Sequence, residues 1–230
     1  MKVVFFDIDG TLLLSGGAGR QALESGFCQS FGVSLVKPVV LDGRPDRAVG
    51  TALFEAHGLQ DTEENWARLC RAYLHRLPAT LKERPGRVLP GVPRLLDLLA
   101  RRPDVFLGLL TGNVREGARI KLEHFSLLPF FGPPLIGGFG DQERDRRQVA
   151  KRAVVAVERH LGLDGARAEY WVVGDTPWDV QAARAIGARC VAVATGFYSL
   201  EQLAAYQPDY LLSDLERLDE LPHWWRELSD

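Results

Sequence analysis

The sequence predicts an α/β protein: a Rossmann-like core with a parallel sheet in three layers, plus an inserted all-helical module. Three observations predict it. Short, nearly continuous apolar runs recur at residues 3–6, 105–110, 170–173, 190–194 and 210–212, the pattern of parallel strands covered on both faces. Helical patterns lie among them, at residues 92–100, 115–124, 149–161 and 179–186. From about residue 16 to residue 86 the alternation stops, and only helical patterns remain.

Taken in order, the first run ends at Asp7, and Asp9-Gly10-Thr11 follows. The next stretch, Ser15-Gly16-Gly17-Ala18-Gly19, lacks the spacing of a phosphate cradle and is expected to act as a hinge. Three helical patterns come next. The clearest places Trp66, Leu69, Cys70, Tyr73, Leu74 and Leu77 on one helix face. Phe27, Phe31 and Trp66 are expected in the core of this module. Pro78, Pro85 and Pro90, with Gly86 and Gly91, are expected to mark the return to the α/β pattern, and Gly187 to stop the helix before it. The expected division is therefore a core of residues 1–15 and 87–230 and a helical cap of residues 16–86.

A net charge of −2 gives no global basic field, so neither nucleic acid nor an anionic membrane is an expected partner. No apolar stretch approaches the length of a membrane span, and Asp7 cuts the first run too early for a signal peptide's apolar core. Cys28, Cys70 and Cys190 are widely scattered, which fits a reducing, cytoplasmic setting. The five histidines lack metal-ligand spacing and are expected at the surface or at helix ends. A monomer and a homodimer are both compatible with the sequence.

Ligands of open α/β sheets bind beyond the carboxyl ends of the strands. The first run ends in Asp7-Ile8-Asp9-Gly10-Thr11, the second in Thr111-Gly112-Asn113, and the third in Gly174-Asp175-Thr176-Pro177-Trp178-Asp179. Two aspartates two positions apart repel each other and cost desolvation unless a cation offsets them. A hard divalent cation takes carboxylate, carbonyl and phosphate oxygens. Asp7 and Asp175 can supply the carboxylates and the Asp9 backbone carbonyl a further oxygen. Asp7 could then attack a phosphoryl group, with Asp9 moving the proton. Thr111 and nearby backbone amides could bind the phosphoryl oxygens.

VVFFDIDGTLL, LLTGN and VVGDTPWDV resemble the first, second and fourth motifs of the haloacid dehalogenase superfamily, mostly phosphatases, over nearly the whole chain. The resemblance implies Asp7 as nucleophile, Asp9 as general acid/base, and Thr111, with Gly112 and Asn113, as phosphate-binding loop. It implies Mg²⁺ held by Asp7, Asp9 and Asp175, with Asp179 a ligand or a partner of one. The third motif departs from the family's usual lysine: this chain has FGDQERDRRQVAKRA, where Arg146 is the expected cation, ahead of Arg147 and Lys151. Gly43-Arg44-Pro45-Asp46 resembles a segment of phosphoglycolate-phosphatase-like caps, so Arg44 either touches substrate or supports the cap. The expected activity is hydrolysis of a small phosphorylated metabolite, phosphoglycolate foremost. A phosphomutase of the beta-phosphoglucomutase type and a 2-haloacid dehalogenase are the alternatives. Asp9 counts against the dehalogenase, which needs no acid two positions after the nucleophile.

Overall fold

The computed structural model of the chain describes residues 1–39, 43–163, 168–217 and 223–226. Its strands are β1 (Lys2–Phe6), β2 (Leu13–Leu14), β3 (Arg87–Val88), β4 (Val105–Leu110), β5 (Gly137–Gly138), β6 (Glu169–Gly174), β7 (Arg189–Val193) and β8 (Tyr210–Leu212). Six of them form one sheet in the order β5-β4-β1-β6-β7-β8, every pairing parallel. β1 lies between β4 and β6, with Phe6 level with both Leu109 and Val173. That register brings the segments after all three strands out side by side at one sheet edge.

Side chains alternate across each strand, so every strand feeds two cores. On one face Val4, Phe6, Leu109, Trp171, Val173 and Val191 pack against Leu95, Leu96 and Leu99 of α4 (Val92–Ala100) and Ala118 and Leu122 of α5 (Arg115–His124). On the other, Val3, Phe5, Leu110, Val172 and Ala192 meet Val149, Ala153 and Val157 of α6 (Arg146–Leu161) and Val180 and Ala183 of α7 (Pro177–Ala185). This double covering is the physical reason the strands read as continuous apolar runs. α8 (Leu200–Ala204) and α9 (His223–Arg226) are two further short helices.

Between β2 and β3 lie α1 (Ala18–Phe31), α2 (Asp46–Ala56) and α3 (Glu63–Glu83). They enclose a third core of Ala22, Phe27, Leu53, Phe54, Trp66, Leu69, Tyr73 and Leu77, against which the half-buried Phe31 packs. The chain leaves for these helices and returns through the two-stranded antiparallel pair β2–β3. The expected stripe on α3 faces inward.

Pro78 does not end that helix: α3 runs through it to Glu83. The proline forfeits one backbone hydrogen bond, and burial of Leu77, Thr80 and Leu81 around it carries the helix onward. α6 begins at Arg146, three residues earlier than the apolar pattern suggests, because the Asp145 side chain caps it by accepting from the Arg147 N–H at 2.9 Å. The edge strand β5 consists of two glycines and carries no apolar signal. Among the described residues, no helix is long and apolar enough to cross a membrane.

Candidate active site

Asp7 follows directly on β1, and its side chain is almost wholly buried. Arg146, in the first turn of α6, reaches it: one terminal guanidinium nitrogen lies 2.9 Å from Asp7 Oδ2, 2.6 Å from Asp179 Oδ1 and 3.2 Å from the Leu110 carbonyl. The other donates to the Gly43 carbonyl at 3.3 Å. The buried Arg146 Nε has no hydrogen-bond partner in the structure. Arg147 instead pairs with Asp145 in solvent. Together with Lys151 it lines a surface groove of about 580 Å³ that includes none of the strand-end residues. Of the three cations expected near the third motif, Arg146 is the one that meets Asp7.

Asp175, at the end of β6, accepts from Thr11 Oγ1 at 2.9 Å. Gly10 passes over this carboxylate with φ +85°, and a Cβ there would sit 2.2 Å from Asp175 Oδ2, so only glycine closes the turn. Asp179, in the first turn of α7, is fully buried, and both of its oxygens are engaged. Oδ1 accepts from Arg146 and Oδ2 from the Thr176 N–H and hydroxyl at 3.0 and 2.7 Å. Carboxylate oxygens of Asp7, Asp175 and Asp179 lie within 4.8 Å of one another.

One arginine lies among three buried carboxyl groups, and two of them, Asp7 and Asp175, hold their protons more tightly than an ordinary carboxyl does. Burial pushes Asp7 up to about 6, with Arg146 opposing and Asp179 adding. Burial, then the charges of Asp7 and Asp179, pushes Asp175 well above the carboxylate range. A donor set of clustered, under-compensated carboxylate oxygens suits a hard divalent cation. Since Asp179 is committed to Arg146 and Thr176, Asp7 and Asp175 are the side chains best placed to hold one.

The Asp9 carboxylate lies apart from this cluster. Its Oδ2 accepts from Lys121 Nζ at 2.5 Å and from Asn113 Nδ2 at 2.8 Å. Burial pushes this carboxyl up, but the Lys121 charge and hydrogen bonds from Lys121, Asn113 and Ser15 outweigh it and hold Asp9 below the usual range. Asn113 Nδ2 also donates to Thr111 Oγ1 at 2.8 Å, and Asn113 Oδ1 accepts from Lys121 at 2.7 Å. Thr111, Asn113, Asp9 and Lys121 thus form one network.

Gly112 lies where the helical module docks. A Cβ there would come within 2.5 Å of the Arg44 carbonyl. The Asp46 N–H donates to the Gly112 carbonyl at 2.7 Å, and Asp46 Oδ2 accepts from the Val114 N–H at 2.8 Å. Arg44 lines a recess of about 270 Å³ with Arg146 and Trp178. Trp66 is core, as expected, and its Nε1–H donates to the Asp141 carbonyl at 3.0 Å.

Sequence reasoning missed Lys121. Its only signal is a lysine on the α5 face that otherwise carries the buried Gly117, Ala118 and Leu122. Asp46 was visible within its segment, but nothing in the sequence paired it with Val114.

A parallel α/β sheet whose strand ends gather buried acids and one arginine defines a Rossmann-like hydrolase. The model of the haloacid dehalogenase-like hydrolases matches residues 1–187. The phosphoglycolate phosphatase of Rhodospirillum rubrum is 30% identical over 211 residues, covering 89% of this chain and 83% of that protein. That of Pseudomonas savastanoi pv. phaseolicola is 28% identical over 226 residues, covering 94% and 78%. Among solved structures, a hydrolase from Pseudomonas syringae superposes with a TM-score of 0.69 at 21% identity, covering 96% of this chain and 99% of that one, a likeness of fold. The chain belongs to the haloacid dehalogenase-like hydrolase family, and it is a phosphoric monoester hydrolase.

Proposed function

We infer that this phosphatase is Mg²⁺-dependent, works through an aspartyl-phosphate on Asp7, and acts on a small alkyl phosphomonoester, with phosphoglycolate the first candidate. The observation that supports the mechanism is that Asp7 pairs with the Arg146 guanidinium and has a carboxylate oxygen within 4.8 Å of one of Asp175, with Asp9 held on a separate network. The names of the two relatives above support the substrate.

Asp7, Asp175 and the Asp9 carbonyl would hold the cation. When bound, it supplies positive charge that screens the approach of a phosphate dianion to Asp7. Arg146 keeps the Asp7 carboxylate charged and aimed. Thr111 and the amides after it receive the remaining oxygens. An Asp7 oxygen attacks phosphorus, the bond from phosphorus to the ester oxygen breaks, and Asp9 gives that oxygen its proton. The charge of the arriving phosphate raises the proton affinity of Asp9 against the pull of Lys121. In the second half, Asp9 takes a proton from water as the water oxygen attacks phosphorus. The bond to Asp7 breaks, and inorganic phosphate and the free carboxylate result.

Residues 16–86 would serve as a cap, with Ser15–Gly19 as hinge, and the loop carrying Arg44 would face the leaving group. The three free cysteines are compatible with a cytoplasmic setting. A phosphatase screen over small phosphoesters, with Mg²⁺ and with EDTA, tests this reading. Mg²⁺-dependent phosphate release, lost by more than ~10⁴-fold in Asp7→Asn, is expected. Full activity in EDTA or in Asp7→Asn would overturn the mechanism. Isomerisation of a sugar phosphate without net phosphate release would assign a phosphomutase instead.

A further inference from the structure

We propose that Lys121 is a positioning residue of the reaction: it fixes the carboxylate of Asp9 and ties it to the phosphate-binding loop. The inference rests on the phosphatase reading above. Lys121 is 4% exposed, on an α5 face where its buried neighbours are glycine, alanine and leucine. Its ammonium gives one hydrogen bond to Asp9 Oδ2 and another to Asn113 Oδ1, at 2.5 and 2.7 Å. Asn113 in turn donates to the same Asp9 oxygen and to Thr111 Oγ1. One cation therefore closes a ring with Asp9 and Asn113, and through Asn113 it reaches Thr111.

Two features argue that this arrangement serves the reaction. Burying an ammonium is an uneconomical way to stabilise a fold, since an apolar group of similar volume avoids its desolvation cost. The pair with Asp9 is also lopsided: the Asp9 side chain remains 38% exposed, whereas Lys121 is enclosed at 5%. Lys121 and Asn113 both donate to Oδ2, which holds that oxygen in place beside the phosphate-binding loop. A proton donor contributes only when it is held within hydrogen-bond reach of the leaving oxygen. Gly19 completes the enclosure, since a Cβ there would lie 3.2 Å from Lys121 Nζ.

Leaving-group dependence tests this. Lys121→Met keeps the length and loses the charge and the donors. An alkyl phosphate needs a proton on its leaving oxygen, and p-nitrophenyl phosphate does not. With the best alkyl phosphate of the screen, kcat/KM, which reports only the steps up to departure of the leaving group, should fall ~10²-fold, and with p-nitrophenyl phosphate by less than about threefold. In an Asp9→Asn background, Lys121→Met should cost nothing further on the alkyl ester, because Lys121 acts through Asp9. Should Lys121→Met fail to fold, Lys121→Gln, which retains a donor, enters the same comparison. Parallel loss on both esters, no loss on either, or additive loss with Asp9→Asn would overturn the inference alone. A wild-type enzyme inactive on both esters would overturn the phosphatase reading, and this inference with it.

Discussion

Arg146 shows how one side chain can decide a site. It sits among Asp7, Asp179 and two backbone carbonyls, and removing it would leave two buried carboxylates uncompensated. Arg146→Ala should lower kcat by at least ~10²-fold and also lower Tm. Arg147→Ala, which breaks only an exposed pair with Asp145, should stay within about twofold in kcat and change Tm little. Steady-state kinetics and thermal melts of both variants check this, and the reverse ranking would shift the third-motif register by one residue. The choice between the two was partly legible in the sequence. The capping side chain of Asp145 claims the Arg147 N–H and fixes which arginine turns inward. Lys121 was illegible for a different reason. Asp9 is 112 positions away, and no local pattern links them.

At the scale of elements, the apolar runs were readable because a doubly covered parallel strand leaves no room for polar alternation. β5 was not, because its two glycines hydrogen-bond through the backbone and bury no side chain. Pro78 misled for the opposite reason, since packing of the turns on either side overrode the local cost of proline. Leu69, fully buried in the helical module's core, tests that packing: Leu69→Ala should cost about 2–5 kcal/mol of stability in denaturant titration. The start of α2 carries a pH dependence. Burial pushes the Asp46 carboxyl up to about 6, and Lys121 and the Val114 N–H only partly oppose it. The folded chain therefore binds a proton at Asp46 that the unfolded chain has already released between its ordinary value and about 6. Asp46 thus withdraws stability as pH rises through that window. Asp46→Asn, neutral throughout, should lose less Tm between pH 5 and pH 8 than the wild type does, and an equal or larger loss would contradict the assignment.

For the molecule as a whole, three strands deliver their ends to one sheet edge and a helical module packs over them, so acids distant in sequence share one buried site. The same linkage applies to Asp7 and Asp175, both raised chiefly by burial. Without a cation, they too withdraw stability as pH rises from about 4 through 6 and beyond. A divalent cation binds only the folded arrangement and needs these groups ionised. Mg²⁺ should therefore raise Tm, and by more at pH 8 than at pH 5.5; a Tm indifferent to Mg²⁺ at both would contradict the metal site. The central claim is the covalent step on Asp7, and the stereochemical course at phosphorus tests it most directly. Hydrolysis of a substrate made chiral at phosphorus with oxygen isotopes should proceed with overall retention, because attack by Asp7 and attack by water each invert the centre. Overall inversion would mean that water attacks the ester in a single step, and would contradict the account.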